Sequence, residues 1–311
     1  MALTEFDFPS HNGRDHIKAW IYAPATTPRG IIHIVHGLGE HSRRYLRLIG
    51  KMLDAGYVVC ADDHVGHGAT AMASGVWADS GENGLTAIVE DEATLREHAV
   101  AAYPDLPYFL YGHSWGSIIA RAYAARHPEQ LDGLVLGGIA AQMRGPESVP
   151  VADVEAAIGD TDGTGVADEF MPALFAGTVD RYDDVRGPTD WVAADRGVVA
   201  DHAVDPLNRF GVPMTLRFLR DFLVLYAEAN ADDWAAKIPG ALPVLILAGD
   251  QDPVANYGEG AYHVANQLWA SGNRDVRTRV YTGYRHEVHN EPPIRDEVAA
   301  EIIGFVDGHL R

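Results

Sequence analysis

Cysteine is nearly absent from this 311-residue sequence: Cys60 stands alone. That excludes an intramolecular disulfide and a cysteine-rich zinc site. It makes a reducing, cytoplasmic interior the default setting. Basic residues are also scarce, with 24 Lys and Arg against 44 Asp and Glu and a net charge of −20. A face for nucleic-acid phosphates needs the opposite balance, as does a basic patch for anionic lipid heads. Long apolar runs are missing. The longest, residues 242–249 and 222–227, fall far short of the roughly 20 residues of a membrane span, so no stable membrane insertion is expected. The opening Met1-Ala2-Leu3-Thr4-Glu5-Phe6-Asp7-Phe8 puts acids where a signal peptide would be apolar. No internal repeat or low-complexity segment stands out. What is present is an ordinary globular balance, 47% hydrophobic and 22% charged. The length suits about two domains, or one large domain carrying an insertion.

Apolar patterning gives the organisation. Strands are expected at 3–8 and 16–22, joined through Asn12-Gly13, a hairpin signal. Strand and helix then alternate. Short apolar runs at 31–35, 57–61, 108–111 and 134–136 are separated by helical patterns at 45–55, 85–103 and 117–126. The rhythm resumes with a strand at 242–248, a helix at 260–270, a strand at 276–281 and a helix at 295–309. Such alternation predicts an α/β fold, a mostly parallel sheet with helices on both faces. Residues 141–240 break the rhythm. They carry 18 acidic and 8 basic side chains, half of the net charge, and helical pieces including 210–229. The expected division is therefore a core of 1–140 and 241–311, with 141–240 inserted as a helical cap.

The sharpest chemical signal is Gly112-His113-Ser114-Trp115-Gly116, between a strand and a helix. A serine that attacks a carbonyl must stand clear of its sheet, and a tight strand-to-helix turn flanked by glycine does that. Ser114 is the candidate nucleophile. On such a scaffold the acid follows a late strand and the histidine precedes the last helix. Asp250 and Asp252 both meet the first condition, and His286 and His289 the second. The oxyanion needs two backbone N–H groups. These are expected from Trp115 and from the loop His36-Gly37-Leu38-Gly39, with Leu38 as the second donor.

Together with this elbow, several segments resemble one group. They are His36-Gly37-Leu38-Gly39-Glu40-His41 with Arg44-Tyr45, Asp63-His64-Val65-Gly66-His67-Gly68, Tyr103-Pro104-Asp105-Leu106-Pro107, Leu131-Asp132-Gly133-Leu134, residues 249–254 and residues 281–291. The sequence resembles α/β-hydrolases of the monoacylglycerol lipase and bacterial lysophospholipase group across nearly the whole sheet region. Ile118-Ile119-Ala120-Arg121 after Ser117, and Asp190-Trp191, look more like the bacterial members. The resemblance implies a triad of Ser114, Asp252 and His286, with Leu38 and Trp115 as oxyanion donors. It leaves Asp250 to cap a turn and His289 to a helix approach or surface contact. Trp115 departs from the methionine common after the serine, which implies a narrower acyl pocket.

The expected activity is a cofactor-free serine hydrolase cleaving carboxylic esters through an acyl-enzyme, with monoacylglycerols or lysophospholipids as the implied substrates. Small esters or lipids are the expected partners. The sequence leaves the oligomeric state open. An amide- or peptide-cleaving enzyme on the same scaffold is the nearest alternative. A nicotinamide-dependent oxidoreductase is distant, because Ser42 stands where Gly37-Leu38-Gly39 would need its third glycine. A non-catalytic binding protein would be expected to lose part of the triad. The apolar stripe Phe210, Phe218 and Phe222 is a candidate either for gripping an acyl chain or for internal packing. His64 and His67 are expected to fix their loop rather than bind metal, and Cys60 to be an inert core residue. Residues 158–169 match only part of a calcium loop, since Ile158 occupies the first ligand position; a solvated loop is expected, and no metal.

Overall fold

The computed structural model describes residues 1–310. One sheet of eight strands organises them: β1 (Ala2–Pro9), β2 (His16–Ala23), β3 (Ile31–Val35), β4 (Val58–Asp63), β5 (Tyr108–His113), β6 (Gly133–Gly137), β7 (Val244–Gly249) and β8 (Val276–Tyr281). Their spatial order is β1-β2-β4-β3-β5-β6-β7-β8. β2 is antiparallel to both β1 and β4, and every pairing from β4 to β8 is parallel. The fold is that of an α/β-hydrolase.

The interior strands are apolar on both faces, as a sheet covered on both sides demands. Successive residues divide between the two layers. Ile31, Val35, Leu134, Leu136 and Ile246 join one core, while Ile32, Ile34, Val135, Leu245 and Leu247 join the other. The helices are α1 (Leu46–Asp54), α2 (Gly68–Ser74), α3 (Gly84–Ala102), α4 (Trp115–Arg126), α5 (Arg144–Glu147), α6 (Val151–Ile158), α7 (Met171–Leu174), α8 (Arg196–Val204), α9 (Leu216–Ala229), α10 (Glu259–Ala270) and α11 (Arg295–Asp307). Helices α1 and α11 cover one face through Leu48, Met52, Ile302 and Phe305. Helices α3, α4, α9 and α10 cover the other through Leu95, Ile119, Phe218 and Leu268.

Several boundaries differ from expectation. The helix expected at 45–55 is a 3₁₀ turn, Ser42–Tyr45, followed by α1. The strand expected from 242 starts at Val244, after Pro243, which has no N–H to give a ladder. The helix expected from Phe210 begins at Leu216, where Thr215 Oγ1 accepts the Phe218 N–H at 3.2 Å. Phe210 therefore lies on an irregular strap, 205–213, and not on the helix that carries Phe218 and Phe222. Among the described residues, 141–240 supplies none of the eight strands. Helix α9 packs against α3 and α4, inside the layer that covers the sheet. No helix of the described residues is long and apolar enough to cross a membrane.

Candidate active site

Ser114 stands at the junction of β5 and α4 with φ +57° and ψ −122°. Its backbone is in a region that non-glycine residues rarely occupy, as a nucleophile elbow requires. The flanking glycines follow from close approach. A Cβ on Gly112 would lie 2.2 Å from the Gly116 carbonyl oxygen, and one on Gly116 would lie 2.1 Å from that of Val35. The elbow is tied down by the Ser114 N–H to the Gly137 carbonyl at 3.0 Å. The Ser117 hydroxyl adds a bond to the Ser114 carbonyl at 2.6 Å.

Asp252 follows β7 and His286 precedes α11; both are buried. His286 Nδ1 lies 2.9 Å from Asp252 Oδ2. A carboxylate only accepts, so Nδ1 holds the proton and Nε2 is bare when the ring is neutral. Among the described residues His286 Nε2 has no partner. The His286 side chain shares a chamber with Ser114, lined also by Gly37, Leu38, Trp191 and Phe210. Burial pulls the His286 pKa down, but the Asp252 charge and hydrogen bond, with Glu287 and Glu40 adding, hold it above its ordinary value. Asp250 lies elsewhere: its Oδ1 accepts the Gly283 N–H at 2.7 Å. Of the two roles expected of His289, a helix approach or a surface contact, burial excludes the second; the residue lies on the segment that leads to α11. It is buried, stacked on Tyr45 at 4.8 Å and edge-on to His113 at 4.6 Å. Neither of its ring nitrogens has a partner among the described residues, and burial first, then His113, drives its pKa to about 3.

Leu38 and Trp115 line the wall of a second, apolar chamber at Ser114, with Ile118, Met143, Phe175, Phe222 and Val254. Trp115 opens α4, where N–H groups lack a helical acceptor and the helix dipole favours negative charge. Its ring turns into the core, stacked on His67 at 5.0 Å and 5.4 Å from Phe218. Of the candidate stripe, Phe210 and Phe222 line this chamber and Phe218 does not. The chamber's free volume is about 20 Å³, room for roughly one water. Beyond Phe175, Trp191 and Phe210 lies an outer apolar cavity of about 520 Å³.

Buried charge surrounds these loops. Arg44 bridges Glu40 at 3.2 Å and Glu287 at 2.6 Å, joining the loop after β3 to the residue beside His286. Glu40 also accepts the Gly37 N–H at 2.6 Å and the Tyr45 hydroxyl at 2.7 Å. Deeper, His33, Asp62 and Glu92 form a group whose ligand atoms come within 4.8 Å of one another. His64 Nδ1 already sits against this group, 3.0 Å from Glu92 and 3.2 Å from Asp62. An imidazolium there neutralises the carboxylates a cation would need. Glu40, Arg44 and Trp191 have no role legible from the sequence, where they show only as charge or bulk beside the loop motifs. At 158–169 the Asp162 carboxylate takes the Thr164 N–H at 3.1 Å and its hydroxyl at 2.6 Å, an exposed turn.

Known proteins resemble this chain over most of its length. Residues 26–293 match the family described as serine aminopeptidase, S33. The monoacylglycerol lipase of Mycolicibacterium smegmatis is 30% identical over 93% of this chain and 92% of its own. The monoglyceride lipase of Homo sapiens is 30% identical over 90% and 83%. A thermostable carboxyl esterase from Bacillus coagulans, solved with glycerol, superimposes with a TM-score of 0.97 at 46% identity over all of both chains.

Proposed function

The chain belongs to the serine aminopeptidase S33 family of α/β-hydrolases and is a carboxylic ester hydrolase; from that premise we propose that Ser114, His286 and Asp252 form its catalytic triad and that it cleaves neutral monoacylglycerols and simple monoesters. One observation carries the reading. His286 is held through Nδ1 by Asp252, its Nε2 is bare, and its side chain lines the same chamber as Ser114.

In the proposed cycle His286 Nε2 takes the Ser114 proton as Oγ attacks the ester carbonyl. Asp252 fixes the tautomer and stabilises the imidazolium. The Leu38 and Trp115 N–H groups bind the oxyanion. The alcohol leaves with the proton, and water repeats the sequence on the acyl-enzyme. Residues 141–240 act as the cap. Phe175, Trp191 and Phe210 separate the Ser114 chamber from the outer cavity, so an acyl chain enters only when these rings move. The relatives named for monoacylglycerols support the substrate class. A cytoplasmic setting belongs to the same proposal and rests on the lone, buried Cys60.

An aminopeptidase would need a free carboxylate for the substrate's amino group. The two acids lining the Ser114 chamber, Glu40 and Glu287, are both engaged by Arg44. This favours an ester over a peptide N-terminus. Two carboxylates against one guanidinium also leave an excess negative charge, which disfavours an anionic head. The test is a fluorophosphonate label followed by an ester panel. The label is expected on Ser114, and Ser114→Ala is expected to abolish labelling and nearly all hydrolysis while the protein unfolds at the same temperature. Monoacylglycerol should outrun lysophosphatidic acid of equal chain length in kcat/KM. A label on another residue, or a preference for the anionic head, would overturn the corresponding half of the proposal.

A further inference from the structure

The peptide between Gly37 and Leu38 has two polar ends. Its N–H belongs to Leu38 and its C=O to Gly37. The bond is trans, so the two ends point in opposite directions. Whatever grips the carbonyl therefore aims the N–H.

His36 grips it. His36 Nδ1 lies 2.8 Å from the Gly37 carbonyl oxygen. A carbonyl only accepts, so Nδ1 carries a proton. At the other side of the ring, the His64 backbone N–H approaches His36 Nε2 at 3.1 Å. An amide N–H only donates, so Nε2 is bare. Two independent contacts select one neutral tautomer.

The His64 ring enforces that choice. Its Nδ1 faces Asp62 and Glu92, and its Nε2 lies 3.1 Å from the His36 carbonyl oxygen. All three partners are acceptors, so both nitrogens of His64 carry protons and the ring is a cation. It stacks on His36 at 3.7 Å with 17° between the planes. Burial opposes the His64 charge, but Asp62 and Glu92 hold its pKa well above the ordinary histidine value. Burial keeps His36 well below that value, and the neighbouring His64 and His67 add to this against the opposing charge of Glu40. Asp62 and Glu92 act on His36 through His64.

We propose that His36 is a positioning residue for the oxyanion: its neutral ring holds the Gly37 carbonyl so that the Leu38 N–H faces Ser114, and His64, clamped by Asp62 and Glu92, fixes the tautomer that does so. This rests on the reading of Leu38 as an oxyanion donor. Asp62 and His64 thereby gain a role beyond loop packing, and His36 one beyond leading into the glycine loop.

Two measurements test it. In the native protein, two-bond ¹H–¹⁵N correlations of the His36 imidazole should show the Nδ1–H neutral tautomer, unchanged from about pH 5.5 to 8, where an unperturbed histidine would titrate. The Nε2–H tautomer, or a titration in that window, would overturn the proposal. In variants, His36→Asn places an amide N–H where Nδ1 was, while His36→Gln reaches only the Nε2 position. Loss of one aimed oxyanion donor costs about 10²-fold in kcat. His36→Gln should approach that loss with KM within about threefold, and should lose affinity for an alkylboronic acid by a similar factor. His36→Asn should stay within about fivefold of wild type in both. Equal losses for the two variants, or a loss confined to KM, would also overturn it. Fluorophosphonate labelling of the wild type separates the two levels: without label on Ser114 the catalytic reading itself fails, and with label but no Asn–Gln difference only the positioning role does. Should neither variant fold, the tautomer in the native protein decides.

Discussion

At the scale of single residues, Asp250 and Asp252 differ by two positions and do opposite work. Asp252 faces His286 Nδ1, whereas Asp250 caps the turn at Gly283. Asp252→Asn should lower kcat by about 10⁴-fold, the scale of losing the charge that holds a catalytic imidazolium. Asp250→Asn keeps an acceptor for the Gly283 N–H and should cost a few-fold at most. The pH dependence carries a sign. The Asp252 charge raises the His286 pKa, and the base must be neutral to act. The acid limb of kcat/KM should therefore lie above 6.5 in wild type and move to lower pH in the residual activity of Asp252→Asn. A limb that stays in place would remove Asp252 from the pair. Ser114 was legible in the sequence because an elbow is local: strand, glycine, serine, glycine, helix. The choice between the aspartates was not local, since it depends on Gly283 and His286 more than thirty residues on. The burial of His289 was hidden for the same reason, because the box around it comes from Tyr45, Tyr111 and His113.

At the scale of elements, the strands were the legible part. Their five- and six-residue apolar runs follow from burial on both faces, and turn residues bracket them. Helix α2, Gly68–Ser74, was invisible because its small residues draw no apolar stripe. Residues 210–215 were read as the start of α9 because Phe210 falls in phase with it, yet Pro213 pushes the preceding residue out of helical geometry. The strap 205–213 docks instead on the loop after β3. The Arg209 N–H bonds the Gly39 carbonyl at 2.8 Å. Gly39 has φ +70°, and a Cβ there would meet Phe210 Cα at 2.6 Å. Phe210 completes a wall with Phe175 at 5.0 Å and Trp191 at 5.5 Å. Removing its ring by Phe210→Ala should join the Ser114 chamber to the outer cavity. Each further buried CH₂ adds about 0.8 kcal/mol, nearly fourfold in kcat/KM. The dodecanoyl-to-butyryl ratio of kcat/KM should thus rise at least tenfold in the variant. A ratio within twofold of wild type would mean that the wall does not divide the two spaces.

At the scale of the whole molecule, buried titratable groups set the response to acid. Asp91 and Asp62 have pKa values raised to about 7 and about 6, chiefly by burial, with neighbouring carboxylates adding. Such groups bind protons more tightly when folded, so their stabilising contribution is complete below the unfolded value near 4 and is lost as pH rises through 6 and 7. His67 and His289 behave oppositely. Burial holds each at about 3 against about 6.5 when unfolded. The folded state then binds fewer protons, and stability falls as pH drops from 6.5 toward 3. Between pH 6.5 and 4 the two pairs oppose each other; below 4 the aspartates are spent and the histidines continue to cost stability. His289→Phe isolates one term. Neither ring nitrogen of His289 has a partner to lose among the described residues, and the site is already an aromatic box. Ring volume and packing set where the variant starts at pH 7; linkage sets its slope. Its urea-unfolding free energy should fall less steeply by at most about 1.4 kcal/mol per pH unit between pH 6 and 4. Two curves that run parallel over that range would show that His289 is not held neutral in the fold.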